Sequence, residues 1–145
     1  MAQTVEEILA AAKLYTDEGI YAVVKLPSQA ITPAAGVIAE VGEAFSALIV
    51  DKDEITLILD VEAYEEYQRR LRGHEANIGY WRLITFDIEL ESDLVGFMAV
   101  VSKTLADVGI SFLALAAYSR DHILVPEAKF EAAMTALTQL QESLR

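Results

Sequence analysis

The strongest constraint in this sequence is an order of local signals that occurs twice: strand, helix, hairpin, helix. In the first half, YAVVKL at 21–26 reads as a strand ended by Pro27. The Ala-rich stretch 33–41 carries apolar residues at helical spacing, with Pro33 suited to a first turn and Gly42 to an exit. Two β-branched runs, 45–50 and 55–59, flank DKDE, the pattern of an antiparallel hairpin, and a short charged helix at 62–72 follows. The second half restarts with YWRLITFDI at 80–88, a strand by its alternation. Ser92 or Asp93 then caps a helix over 94–107, which Gly109 ends. Strands at 112–117 and 122–125 enclose a turn at 118–120. Pro126 and Glu127 open a last helix to about residue 144, with Phe130, Ala133, Met134, Leu137 and Leu140 on one stripe. Ahead of both halves, Thr4 and Glu7 form a capping box over a helix at 4–16, stopped by Gly19.

A unit of roughly 60 residues is too long for a solenoid repeat. Strands interleaved with helices, with one hairpin per unit, predict an α+β fold of tandem ferredoxin-like βαββαβ units, each an antiparallel sheet with helices on one face. The expected division is an N-terminal helix at 1–19, a first unit at 20–77 and a second at 78–145, with the boundary in GHEANIG at 73–79. Such a sheet needs four strands, and each unit shows only three in local order. Either the strand at 80–88 serves one unit and that at 21–26 the other, or an edge pairs between chains. Uncovered edges are a liability, so sheets joined side by side or a homodimer are expected.

At 145 residues and 54% hydrophobic composition the chain buries about two-thirds of its unfolded surface, enough for a core without staples. No apolar run approaches the ~18 residues of a spanning helix. Glu6 and Glu7 stand where a signal peptide carries positive charge, and there is no cysteine, so a soluble cytoplasmic protein is the working class. The net charge is −12, shared by both halves: six basic against 13 acidic side chains in 1–72, five against ten in 73–145. A field of that sign opposes nucleic acid. The one basic cluster, Arg69, Arg70 and Arg72, follows Glu62, Glu65 and Glu66 at the spacing of a solvated helix face.

Catalytic patterns are absent. The chain has no thiol, no GxGxxG, no Walker loop and no GxSxG. His122 adjoins Asp121, but strand neighbours point to opposite faces, so His122 reads as a packing or hydrogen-bonding histidine. His74 reads as solvated linker. DKDE lacks the glycine and distal glutamate of a Ca²⁺ loop and reads as a plain turn. No catalytic residue, metal or cofactor is expected. What remains suits binding. Glu91, Ser92, Asp93, Leu94, Val95 and Gly96 run into a helix start, where free N–H groups and the dipole attract an anion such as a carboxylate. Gly96 permits close approach of a ligand to the backbone. On composition alone, an ordinary capped helix is the favoured reading. Asp121 either serves its turn or pairs with a ligand cation.

The segment LADVGISFLALAAYSRDHILVPE resembles the ACT domain. More narrowly, it is similar to the tandem-ACT proteins related to the regulatory region of aspartokinases and to the cytosolic arginine sensors of animals. The shared features are a helix ending in glycine (Gly109), then Ile110 and Ser111, an apolar strand, a short turn, and Asp121, His122, Leu124, Val125, Pro126, Glu127. The resemblance spans about 20–145 and is sharp for 80–127. It implies a non-catalytic regulatory protein that binds a small molecule, commonly an amino acid, at an interface between ACT units. The implied ligand contacts are Ser92, Asp93, Leu94, Val95, Gly96, Ile110, Ser111, Phe112 and Asp121. Ala116 and Ala117 depart from the Ser-Thr often found there, which removes a hydroxyl. A regulated enzyme is an expected partner, since a chain of this length has no room for one of its own. The rival reading is a structural or interaction module that dimerises or docks a partner enzyme without binding a ligand.

Overall fold

The computed structural model describes residues 3–42, 44–76 and 79–145. In chain order the elements are α1 (Val5–Ala11), β1 (Lys13–Tyr15), β2 (Tyr21–Pro27), α2 (Ile31–Val41), β3 (Ala47–Val50), β4 (Glu54–Asp60), α3 (Val61–Tyr67), β5 (Glu75–Ala76), β6 (Trp81–Asp87), α4 (Phe97–Asp107), β7 (Leu113–Ala116), β8 (Asp121–Pro126) and α5 (Phe130–Ser143). They form two compact units. One is Gly19–Trp81; the other joins the first 18 residues to Arg82–Arg145. The boundary expected at 77/78 lies outside the described residues.

In the central unit, β4 pairs antiparallel with β2 from Tyr21↔Asp60 to Pro27↔Glu54, and with β3 from Ala47↔Ile58 to Val50↔Ile55. The missing fourth strand is β5, which places Glu75 and Ala76 opposite Lys25 and Val24. The order β3-β4-β2-β5 is that of a ferredoxin-like sheet. Ala22, Val24, Leu26, Ile55, Leu57 and Leu59 line one sheet face and pack against Ala34, Val37, Ala63 and Leu71. The β3–β4 turn is tied by Asp51, whose Oδ1 accepts from the Asp53 and Glu54 N–H groups at 2.8 and 2.9 Å. Asp60 caps α3 by accepting from Ala63 N–H at 2.9 Å.

Two local expectations change here. The arginine cluster makes no i,i+4 ladder, because the helix tightens to a 3₁₀ turn at Gln68–Arg70 and Arg70 reaches instead to Glu40 at 2.7 Å. His74 is not solvated linker. Gly73, at φ 76, folds the chain back, so that one His74 ring nitrogen bonds Leu71 O (2.7 Å) and the other the Tyr64 hydroxyl (3.0 Å).

In the unit built from the chain ends, β7 pairs with β8 from Leu113↔Leu124 to Ala116↔Asp121, and β1 pairs with β6 from Lys13↔Asp87 to Tyr15↔Thr85. The order β1-β6-β8-β7 repeats the ferredoxin pattern, but its fourth strand comes from the N-terminus. Accordingly the first helix is shorter than its apolar stripe predicts. Thr4 Oγ1 accepts from Glu7 N–H at 3.1 Å, yet the helix stops at Ala11, and Ala12 is extended. Gln141 on α5 holds this corner: its Nε2 donates to Leu9 O (2.9 Å) and to Ala12 O. The chain after β1 is tied to β6 by Thr16 Oγ1 donating to Leu83 O at 2.6 Å and Arg82 Nη2 donating to Asp17 O at 2.8 Å. The core joins Ile84, Phe86, Ile123 and Val125 on the sheet to Phe97, Val101 and Leu105 on α4, Phe130, Ala133 and Leu137 on α5, and Ile8 and Leu9 on α1. Among the described residues, no helix is long and apolar enough to cross a membrane.

Candidate ligand site

The loop from β6 into α4 is longer and more structured than a simple capped start. Ile88 N–H donates to Phe86 O (2.8 Å), and Leu94 N–H to Glu91 O (3.1 Å), so Ser92 and Asp93 form a turn rather than a helix cap. The helix begins three residues later than expected, at Phe97, behind Gly96 in the left-handed region at φ 96, ψ 2. A residue with a Cβ is strained there, which is why a glycine ends this loop. The first helical bond runs from Val100 N–H to Gly96 O (3.3 Å). The N–H groups of the first turn therefore have no intrahelical acceptor. Phe97 is buried and packs edge-on against Phe86 with ring centroids 5.4 Å apart, fixing the direction of the helix.

The hairpin tip forms the opposite wall. Ala117 N–H donates to Arg120 O (3.0 Å), and Leu90 N–H donates to Ser119 O (2.6 Å), which ties tip to loop. Arg120 is spoken for: its Nε donates to Asp87 Oδ1 at 2.8 Å and its Nη1 to Ser119 Oγ at 3.2 Å. Between the walls lies a cleft of 270 Å³, bounded by Leu90, Glu91, Ser92, Leu94 and Phe97 on one side and by residues 116–121 on the other. Tyr118, fully exposed, stands at its mouth.

Asp121 is half-buried in this cleft, and among the described residues no side chain pairs with its carboxylate. Burial raises its pKa, and the neighbouring His122 partly offsets the shift. His122 is pushed the other way: burial lowers its pKa, Asp121 opposes this, and Arg120 adds to it. The His122 Nδ1 shares a 2.7 Å hydrogen bond with Thr85 Oγ1, as its reading as a hydrogen-bonding histidine required.

Of the nine residues expected at the site, Ser92, Leu94 and Asp121 meet in this cleft. Asp93 and Val95 line a neighbouring cleft of 440 Å³ with Gln3, Ile8, Glu89, Glu91 and Leu94, and Gly96 lines neither cleft. Ile110, Ser111 and Phe112 stand at the other end of α4, which at 11 residues is about 16 Å long. Ile110 is buried and its N–H closes the helix on Leu105 O at 3.0 Å. Sequence reasoning missed Leu90, Phe97 and the tip residues 118–120 as walls. Their proximity depends on the Leu90–Ser119 contact, for which no local pattern exists. No cluster of His, Asp or Glu suited to a metal ion occurs among the described residues.

The family model of the ACT domain matches residues 79–139. This stretch is similar to the ACT domain. Nothing among the curated proteins matches the chain. Among solved structures, a Vibrio cholerae protein of unknown function, described as a possible transport protein, is 26% identical with a TM-score of 0.74, and the match covers 95% of this chain and 96% of that one. The regulatory subunit of aspartate kinase from Thermus flavus is 16% identical at TM-score 0.69, covering 90% of this chain and 98% of that one. The Thermus thermophilus regulatory subunit, in its ligand-free form, is 15% identical at TM-score 0.67, covering 88% and 97%. At such identities the two Thermus subunits speak for the fold. Both the likeness to the ACT domain and the ferredoxin-like α+β architecture expected from the sequence are thus present.

Proposed function

We infer that this chain is a non-catalytic regulatory protein of the cytoplasm that binds a small molecule bearing both an ammonium and a carboxylate, an amino acid, in the ACT-domain cleft. The observation that carries the reading is Asp121: a half-buried carboxylate with no ion pair among the described residues, sharing a cleft with Phe97, the first residue of α4. A ligand carboxylate gains from the first-turn N–H donors of that helix and from its dipole, and its ammonium makes a charge-assisted bond to Asp121. Drug-sized ligands occupy cavities of about 300–1,000 Å³, so 270 Å³ suits a smaller molecule. Ser92 and Leu94 are the remaining direct contacts of this reading. Ile110, Ser111 and Phe112 enter such a site only where another ACT unit brings them to it.

The ACT domain and the likeness to aspartate kinase regulatory subunits support a regulatory role, exercised on a separate enzyme by a homodimer. Melting the ligand-free protein against each of the twenty amino acids tests the reading. A ligand at 100 times its Kd stabilises by about 2.7 kcal/mol. A rise in Tm with one or a few of them is the expected result. No shift with any, at millimolar concentration, refutes amino-acid binding and leaves the interaction module.

A further inference from the structure

The chain carries 11 basic side chains against 23 acidic, yet three of the 11 fall within four positions, Arg69, Arg70 and Arg72. Most of the arginines are engaged within their own unit. Arg82 donates to Asp17 O at 2.8 Å with its guanidinium 3.8 Å from the Phe130 ring centre. Arg120 pairs with Asp87, and Arg145 donates to Ala10 O. Arg70 pairs with Glu40 at 2.7 Å and lies 5.5 Å from the Tyr67 ring centre. Arg69 and Arg72 are different. Both are exposed, and neither makes a hydrogen bond or an ion pair among the described residues.

Carboxylates stand at the right sequence distance to neutralise them, Glu65 four residues before Arg69 and Glu66 four before Arg70. In an α-helix such pairs share a face. The 3₁₀ turn at Gln68–Arg70, with three residues per turn, takes the arginines off that alignment. The chain then leaves helical geometry at Leu71 (φ −103, ψ 70), ahead of Arg72. This irregular segment is nonetheless firmly held. Leu71 is fully buried in the core of the central unit, and its N–H donates to Gln68 O at 3.0 Å. Leu71 O accepts from His74 N–H at 3.2 Å and bonds His74 Nδ1 at 2.7 Å, while the His74 ring stands edge-on to Tyr64 with centroids 5.6 Å apart. On the other side Gly36 of α2 makes room for Arg70, since a Cβ there would come within 3.2 Å of its Nη2. The backbone that carries the three guanidiniums is thus set before any partner arrives, and association has only side chains to order.

We propose that Arg69, Arg70 and Arg72 are the docking point for a carboxylate-rich segment of a partner protein. All three are arginine, whose planar fork matches a carboxylate through two parallel bonds and which is enriched at protein interfaces. Nucleic acid is a poorer occupant. It needs many phosphates neutralised at once, which three arginines in a chain of net charge −12 do not supply. A short acidic segment needs only two or three contacts. Within a Debye length of about 8–10 Å it meets the local positive charge, while the excess of acid elsewhere is screened. The patch belongs to the central unit and the ligand cleft to the other, so this assignment does not rest on the amino-acid reading.

Fluorescence anisotropy of a labelled octaglutamate peptide tests the assignment, with octaglutamine as the neutral control. At low ionic strength wild type is expected to bind octaglutamate and not octaglutamine, and to bind it less tightly as salt rises. Arg69→Gln combined with Arg72→Gln is expected to bind roughly two- to thirtyfold more weakly at unchanged Tm, since two exposed ion pairs are lost. Lys103→Gln combined with Lys129→Gln removes the same charge from the other unit and is expected to bind as wild type does. A wild type that does not bind octaglutamate, or an equal loss in both double variants, overturns the proposal. Tighter binding of pyrophosphate, or of vesicles rich in anionic phospholipid, through the same two arginines also overturns it, because phosphate is then the occupant.

Discussion

Replacing Asp121 by Asn separates a ligand residue from a turn residue, because the two roles predict opposite results. The substitution keeps the size and one acceptor oxygen but removes the charge. No described N–H of the hairpin donates to this carboxylate; the tip is closed instead by Ala117 N–H to Arg120 O at 3.0 Å. The ligand-free protein therefore loses no hydrogen bond. Burial raises the folded-state pKa of Asp121, so the ionised form is disfavoured by folding. That penalty is fully present at neutral pH and is lifted as pH falls through the raised folded value and below the unfolded one. Asp121→Asn is accordingly expected to melt no lower than wild type at pH 7, with any gain vanishing in acid. Ligand affinity moves the other way. Losing one hydrogen bond to a charged group costs about 1.5–3 kcal/mol, or roughly ten- to a hundredfold in Kd. Isothermal calorimetry with the amino acid found in the melts, beside melting curves of both ligand-free proteins from about pH 3 to 8, supplies the readout, since that range brackets both states. Unaltered affinity combined with a lowered melting point refutes the ligand assignment and restores Asp121 to the turn.

Two further outcomes follow from the same unit. Gln141→Ala strips the donor from two carbonyls at the α1–β1 corner, Leu9 O and Ala12 O, beneath a side chain whose residue is only 8% exposed. Its expected cost is about 2–4 kcal/mol, a fall in Tm of roughly 6–12 °C, whereas a Tm within about 1 °C of wild type contradicts the stapling role. His122, whose folded pKa is lowered mainly by burial, binds its proton more readily when unfolded. Its contribution is present above the unfolded value and is lost as pH falls through the lowered folded one, so Tm should decline below about pH 6.5 and His122→Gln should flatten that decline.

Much of the fold is legible in local order because its devices act over a few residues. Thr4 caps its own third neighbour, Asp51 closes its own turn, and the runs at 45–50 and 55–59 meet across four polar residues. The ACT resemblance at 80–127 likewise rests on contiguous residues, and it survives in the domain matched at 79–139. The fourth strands are another matter. Two residues at β5 and three at β1 have no periodicity to read; they are strands only because Val24 and Lys25, or Thr85, Phe86 and Asp87, present unpaired backbone beside them. Lys13, Leu14 and Tyr15 continue a helical stripe on paper, and pairing with β6 together with the Gln141 staple turns them into a strand instead. The candidate site divides in the same way. Asp121 and the 91–96 loop carry chemical signals that the sequence displays by itself, but their meeting in one cleft depends on Leu90 reaching Ser119 across 29 positions. The separation of residues 110–112 from them is set by the rigid length of α4. Local composition determines which residues have the chemistry; long-range backbone pairing, paid for by burial of the core, decides which of them share a space.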